Sequence, residues 1–351
     1  MNAPPTLHST LGIAIVSWNV RDLLSRCLQS IARSSAGEPR LATRTVVVDN
    51  ASSDGSAGMV RSDFADVTLI ENTANRGFTA ANNQAFQALG IVLTQPPGIA
   101  QSPTPATTGH AQFPPPTYTL LLNPDTEIVA NALAVLVDYL DDHPRAGAVG
   151  PMLRNPDGSE QSSRRRFPTL ATGLAESTPL AWHWPGNPAA RRFHMDDVPS
   201  AEAMPVDWVT GAAILVRSDL LAALGGLDEG FFMYSEELDL CRRLRDIGYE
   251  TYFCPEALVV HYEGKSSDQA VGARHLQFSR SRIRYFRKHH GRVAAAVVQS
   301  GIVVGYAVET AIEAAKWLVG HKRALRRARV TAYWEVMKDG LSMRRDDRRI
   351  G

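Results

Sequence analysis

Over the first 150 residues, short apolar runs alternate with segments of helical period. Ile13-Ala-Ile-Val16 reads as a buried strand ending on Ser17-Trp18-Asn19, after which Leu23, Leu24, Cys27, Leu28 and Ile31 recur along one helix face. Thr45-Val-Val-Val48 predicts a second strand, handing over to the polar loop Asp49-Asn-Ala-Ser-Ser-Asp-Gly-Ser56. A third strand, Val67 to Ile70, precedes Asn75-Arg-Gly-Phe78, and Thr79 is expected to cap a helix that runs to Leu89. Tyr118-Thr-Leu-Leu-Leu122 then leads into Asn123-Pro124-Asp125, the pattern of a buried strand with a lone carboxylate at its C-terminal end. Strands alternating with helices predict parallel βαβ units and an α/β fold. The polar loops then share one edge of the sheet with Asp125, where open α/β sheets collect their ligands.

Downstream the rhythm changes. Residues 92–117 hold seven prolines and little apolar periodicity, and read as an exposed insertion. Ala130 to Asp142 is an amphipathic helix stopped by Pro144, and Ala146 to Gly150 a strand. Residues 154–205 are poor in pattern and include Arg164-Arg-Arg166 and Trp182-His-Trp184. Val206 to Val216 is a strand-like run interrupted by Gly211, and Ser218 to Leu224 a helix with Gly225-Gly226 as its stop. Ser235 is expected to cap a helix carrying Leu240, Leu244 and Ile247, with Glu236 and Glu237 in a first turn that favours ionised carboxylates. Two strands follow, Glu250 to Phe253 and Ala257 to Val260, the second ending at His261.

Val293 to Val308 contains no charged residue. At about 1.5 Å per residue it reaches roughly 24 Å, short of a hydrocarbon core of about 30 Å. Glu309, Glu313 and Lys316 come next at spacings that share a face, so 293–320 reads as an interfacial helix rather than a span.

Composition narrows the classes. Thirty-seven basic against 36 acidic residues give a net charge of +1, so no nucleic-acid partner is expected. The charge is uneven: from His321 to Gly351 there are ten Lys/Arg and four Asp/Glu. With the apolar helix before it, this tail predicts contact with an anionic membrane surface, and a homo-oligomer interface is the competing use. Cys27, Cys241 and Cys254 lack Cys-x-x-Cys spacing, which argues against a zinc or disulfide framework and for a reducing cytoplasm. Met1 to Thr10 has neither a charged n-region nor an apolar h-region, so no secretory signal is expected.

Carboxylates and one histidine recur at loop ends: Asp49, Asp125, Glu236, Glu237, Asp239 and His261. Singly, Asp49 reads as a turn-capping acid, Asp125 as a helix cap, Asp239 as supporting structure and His261 as a core histidine. Together they suit a divalent cation on oxygen and imidazole beside a diphosphate, with a separate carboxylate to take a hydroxyl proton. That division of labour describes glycosyl transfer from a nucleotide sugar.

Four stretches carry a resemblance: Val46-Val-Val-Asp-Asn-Ala-Ser-Ser-Asp-Gly-Ser56, Asn75-Arg-Gly-Phe-Thr-Ala-Ala-Asn-Asn83, Leu121-Leu-Asn-Pro-Asp125 and Phe231-Phe-Met-Tyr-Ser-Glu-Glu-Leu-Asp-Leu-Cys-Arg-Arg243. Over about residues 10–290 the chain resembles family-2 inverting glycosyltransferases of the GT-A fold, in their rhamnosyltransferase-like subgroup. The resemblance implies a GT-A domain over 1–265 and a helical, basic C-terminal region over 266–351. It places Ser17, Asn19 and Asp49 at the donor base and ribose, and Asn75, Arg76, Gly77 and Asn82 along the diphosphate. Asp125 matches the last acid of the family's metal-binding Asp-x-Asp, whose first acid is here Asn123, leaving one carboxylate for Mg2+ or Mn2+. His261 matches a metal-ligand histidine. The family's catalytic pair falls on Glu236 and Glu237, with Glu237 as the implied base, and Trp208 and Gly211 lie on the acceptor side. The implied partners are a dTDP- or UDP-sugar and a growing, lipid-linked surface glycan, handled at the inner face of the cell membrane. One alternative is a non-catalytic nucleotide-sugar-binding component of a membrane complex, which has no need of acids at 236 and 237. A nucleotidyltransferase is disfavoured because Ser17-Trp-Asn-Val-Arg-Asp22 contains no glycine.

Overall fold

The computed structural model describes residues 9–94, 114–177, 184, 186–262, 271–320 and 322–346. Its N-terminal strands pair as the alternation requires. β1 (Ser9–Ser17) lies parallel to β2 (Leu41–Asp49) on one side and to β4 (Tyr118–Leu122) on the other, and β2 is parallel to β3 (Thr68–Glu71). The helices α1 (Arg21–Ala36), α2 (Ser56–Asp63) and α3 (Phe78–Ala88) connect them. β1 and β4 are buried along almost their whole length, which is what a central strand covered on both faces requires.

Beyond β4 the sheet is mixed rather than parallel. β5 (Thr126–Ile128), α4 (Ala132–Asp142), β6 (Ala146–Arg154), β11 (Ala213–Arg217) and β12 (Glu250–His261) give the order β3-β2-β1-β4-β11-β6-β12-β5. β11 is antiparallel to both of its neighbours, and β5 is antiparallel to β12. Leu11, Ile13, Ile15, Val47, Leu120, Leu122, Val149, Leu215 and Val259 contribute to the core against the helices.

Several local expectations are corrected. Thr79 lies inside α3, whose N-cap is Gly77. The run 206–216 divides at Gly211 into β10 (Trp208–Val209) and β11, which belong to different sheets; β10 pairs instead with β8 (Arg164–Arg165). The two strands expected over 250–260 are the single β12, with a register irregularity between Cys254 and Leu258. Ile247 lies beyond α8 (Glu236–Asp246) and is exposed. The pattern-poor stretch 154–205 contains short elements: β7 (Glu160–Gln161), β8, α5 (Leu170–Ser177), α6 (Pro188–Phe193) and β9 (Met204–Val206). The proline-rich part of 92–117 (residues 95–113) and Trp182 lie outside the described residues.

The chain forms two compact units. The first comprises Met1–Arg166, Val198–Phe232 and Glu236–Ser266, and includes α7 (Ser218–Ala223); the second comprises Phe167–Asp197, Met233–Ser235 and Ser267–Gly351. In the second unit α9 (Val271–Leu318), kinked at Gly291, packs along α10 (Arg323–Asp346) and on α5. Gly173 of α5 sits so closely against the Phe286 ring of α9 that a Cβ would collide, which ties 167–197 to the C-terminal helices.

Candidate active site

Asp125 follows β4 and His261 ends β12. They meet because β5 folds back antiparallel to β12, pairing Thr126 with His261, while the Tyr262 N–H donates to the Asp125 carbonyl at 2.9 Å. Both side chains are buried, 5% and 8% exposed. His261 Nε2 lies 3.4 Å from Asp125 Oδ1 and has no hydrogen-bond partner. His261 Nδ1 is 2.7 Å from Gln161 Oε1 on β7. Among the described residues no cluster of three His, Cys, Asp or Glu exists, so one imidazole and one carboxylate are what the protein offers a cation here. That donor pair would suit a hard divalent ion. Asn123 is half-buried; its N–H donates to the Ala212 carbonyl at 2.9 Å, tying the end of β4 to the segment containing Gly211.

The other loops gather at the ends of β1 and β2, where Ser17 and Asp49 are register partners. Both are buried, and Ser17 Oγ and Asp49 Oδ1 have no hydrogen-bond partner, whereas Asp49 Oδ2 accepts the Ser52 N–H at 3.0 Å. Asn19, in the left-handed region with φ 53°, joins the two loops: its Oδ1 accepts the Ser53 N–H at 2.7 Å. Asn50, which the motif contains but to which no role attaches from sequence, holds the next loop. Its Nδ2 donates to Asn75 Oδ1 (2.9 Å) and the Gly77 carbonyl (3.1 Å), and its Oδ1 accepts the Arg76 N–H (3.0 Å). Gly77 adopts φ 85°, and a Cβ there would lie 2.6 Å from the Phe232 carbonyl oxygen, so only glycine fits this turn. Asn82 is buried within α3 and its Nδ2 donates back to the Phe78 carbonyl at 2.9 Å.

The acidic pair opens α8. Burial, and then the neighbouring Glu237 charge, push the Glu236 carboxyl well above the usual carboxylate range. Burial also raises Glu237, opposed by N–H groups at the start of its own helix, by the Gly211 N–H and by the charge of Arg165. Glu237 is less buried than Glu236, and each has an Oε2 without a hydrogen-bond partner. Gly211 abuts Glu237: a Cβ there would be 3.4 Å from its carboxyl carbon. The β8–β10 pairing sets Trp208 opposite Arg165 and explains how a pattern-poor arginine run reaches this acid. Trp208 itself is nearly buried and donates its indole N–H to the Arg166 carbonyl at 3.0 Å, so it supports the segment rather than offering an open platform. Arg164 is internal, bonded to the carbonyls of Val198 and Pro199. Asp239 is fully buried on Arg243 at 2.8 Å, and Arg243 reaches the carbonyls of Leu224 and Gly226, a packing role.

The mixed sheet with helices is that of GT-A glycosyltransferases. The chain belongs to the family described as glycosyltransferase like family 2, whose model matches residues 8–276. It is 30% identical over 261 residues to the N-acetylglucosaminyl-diphospho-decaprenol L-rhamnosyltransferase of Mycobacterium tuberculosis, covering 74% of this chain and 78% of that protein. It is 30% identical over 146 residues to the rhamnosyltransferase WbbL of Escherichia coli, covering 41% and 52% respectively. Among solved structures it is similar to the mannosyltransferase PcManGT from Pyrobaculum calidifontis in complex with GDP-Man and Mn2+, with a TM-score of 0.53 and 18% identity over 98% of this chain and 90% of that one. The expected α/β GT-A class and family therefore hold.

Proposed function

We propose that the enzyme transfers a sugar, rhamnose by analogy with its relatives, from a nucleoside diphosphate to a hydroxyl of a lipid-linked surface glycan with inversion. The observation that carries this reading is the buried Asp125–His261 pair, in which an imidazole nitrogen without a partner faces a carboxylate at 3.4 Å. Asp125 and His261 would hold a Mg2+ or Mn2+ ion, which when bound would supply positive charge beside a departing diphosphate. Ser17 and Asp49 offer buried oxygens to the donor nucleoside, and the Asn75–Gly77 loop, fixed by Asn50, lines the diphosphate. Glu237 accepts the proton of the acceptor hydroxyl; burial raises its carboxyl, while the N–H groups of its own helix start, the Gly211 N–H and the Arg165 charge favour its ionised form. A panel of dTDP- and UDP-sugars scored by thermal shift with and without Mn2+ identifies the donor. Asp125→Ala is expected to abolish turnover and the metal-dependent part of donor binding. A folded Asp125→Ala protein with undiminished metal-dependent binding sinks the assignment.

The reading includes a peripheral position at the inner membrane face. Gly272–Leu318 is the one described helix that contains a stretch long and apolar enough to span, with mean hydropathy 1.5 over 18 residues. Its apolar segment is not buried all round: Ala295, Val298, Ile302 and Tyr306 face inward, while Val293, Val297, Val304, Val308, Leu318 and Val319 are exposed. An apolar stripe on one face of a helix supports lying in the interface. Of the basic cluster, Lys322, Arg323, Arg327 and Arg329 are exposed, but Arg326 is buried on Glu313 at 2.6 Å and does not face lipid.

A further inference from the structure

We infer that the β6–β7 hairpin is a positioning relay that holds a proton on His261 Nδ1, so that Nε2 is the nitrogen turned toward Asp125 and the one a cation would take. Its use as a cation ligand rests on the metal reading above; the tautomer itself does not.

The argument runs inward from the turn. Asp157 is a carboxylate and can only accept, and it takes both the Ser159 N–H (2.9 Å) and the Ser159 hydroxyl (2.6 Å). The Ser159 hydroxyl proton is therefore committed to Asp157, and what Ser159 Oγ offers to its other neighbour is a lone pair. That neighbour is the Asn155 carboxamide, 2.9 Å away, which must turn its Nδ2 to Ser159. Asn155 Oδ1 is then an acceptor and takes Gln161 Nε2 at 3.1 Å. With its nitrogen so engaged, Gln161 directs Oε1 at His261 Nδ1, 2.7 Å away, and an amide oxygen can only accept. The proton on the ring is thus on Nδ1. Reversing either amide places two acceptors or two donors against each other at some link of the chain.

The backbone holds the relay in register. Asn155 N–H donates to the Ser159 carbonyl and Gly158 N–H to the Asn155 carbonyl, both at 2.9 Å, around Gly158 with φ 85°. Arg154 adds a bond to the Gly158 carbonyl at 3.0 Å, and Gln161 pairs with Leu153 across the ladder. Hydrogen-bonded partners on the far nitrogen of a ligating imidazole orient the ring and raise its basicity, and their loss typically lowers metal affinity by about 10–100-fold. Gln161 is therefore a positioning residue. The outer links at Ser159 and Asp157 are exposed, where water substitutes readily, so their removal is expected to have a smaller effect.

The test uses full-length protein with 15N-labelled histidine, free of metal, and assigns the His261 ring by its loss in His261→Gln. Long-range proton–nitrogen correlation should show the Nδ1-protonated tautomer in the wild type. Gln161→Leu should lose that preference, and Gln161→Glu, which still accepts from Nδ1, should keep it. In parallel, electron paramagnetic resonance of free Mn2+ in the presence of UDP should show binding weakened about 10–100-fold by Gln161→Leu and largely retained by Gln161→Glu. A wild-type His261 protonated on Nε2, or a tautomer unchanged in Gln161→Leu, overturns the relay. A wild-type protein with the Nδ1 tautomer that binds no Mn2+ supports the relay and overturns the metal reading instead.

Discussion

In the first unit Ile13, Ile15, Leu120 and Leu122 are buried in the sheet while Ser17, Asp49 and Asp125 collect at the strand ends; in the second, the α9–α10 pair buries Val298, Ile302 and Tyr306 but buries charge beside them and leaves aliphatic side chains outside. There Glu309, Glu313 and Arg326 are inside and Val293, Val304, Val308, Leu318 and Val319 are outside, with Val293 80% exposed and Val319 82%. Burial raises the Glu313 carboxyl, yet the Arg326 hydrogen bond and charge beside it hold it below the usual carboxylate range. Burying a Val or Leu side chain contributes about 1.5–3 kcal/mol, so a helix that leaves several on one face forgoes stability in water. The two units therefore differ in what they expose. The first gathers buried polar atoms at its strand ends; the second buries the Glu313–Arg326 pair and leaves both aliphatic and basic side chains at its surface.

The largest expected effect lies in the first unit. Glu237→Gln keeps volume and hydrogen bonding but cannot take a proton, so turnover should fall about 10²–10⁴-fold while donor binding, read by calorimetry, stays near wild type. Should Glu236→Gln show that loss and Glu237→Gln not, the base is the deeper residue. Next comes the ion pair of the second unit. Arg326→Ala leaves Glu313 buried without its principal partner and is expected to cost about 3–5 kcal/mol in denaturant unfolding. Glu313 has a depressed folded-state pKa, so its contribution is present above the usual carboxylate range and lost as pH falls through the folded value. The penalty of Arg326→Ala should therefore shrink in acid. If Arg326→Ala acts only locally, donor affinity should stay intact.

How far these features could be read from sequence follows the same contrast. β1, β2 and β4 were legible because a buried strand has an apolar run of its own, and Asp125 and His261 because each ends such a run. The parallel pairing expected of the N-terminal strands is found, whereas strand direction beyond β4 was not legible because it depends on β11 inserting between β4 and β6, a pairing between distant residues. Gln161 and Arg165 were missed because two-residue strands carry no periodicity; pairing with β6 and β10 is what makes them strands. Asn50 sat in plain view within a recognised motif, yet only the structure shows its amide spanning Asn75 and Gly77. In the second unit, Val293 to Val308 has no polar face, so its sequence does not say which side is covered until α10 is in place.

A smaller effect separates the two acids of the first unit. Glu236 has a raised folded-state pKa, so the folded chain holds that proton more tightly than the unfolded one. Stability is then fully present below the usual carboxylate range and is lost as pH rises through the folded value. Glu236→Gln removes the titration. It should be more stable than wild type at the alkaline end, by on the order of 1–3 kcal/mol, the range for a buried polar group without a partner, with the difference vanishing in acid. A gain that is instead constant with pH locates the effect in packing rather than charge.

The smallest effect on stability is expected where the effect on location is largest. Val304 is 62% exposed on the outer face of α9, in a stripe that runs from Val293 to Val319, about 39 Å at 1.5 Å per residue. Val304→Glu touches none of the inward-facing Ala295, Val298, Ile302 or Tyr306, so unfolding free energy should change by no more than about 0.5 kcal/mol. The same change puts a carboxylate in the middle of the surface proposed to lie in the interface, and into the negative potential of an anionic leaflet. Sedimentation with anionic liposomes should drop sharply while donor binding is unchanged. In the wild type, binding should weaken as salt rises, because each exposed basic residue near the surface contributes about 1 kcal/mol and is screened. Arg323→Gln should reduce that salt dependence without removing binding, since the stripe remains. If wild-type protein ignores liposomes and Val304→Glu converts an oligomer to a monomer, the stripe is covered by a second copy of the chain and the membrane position is wrong.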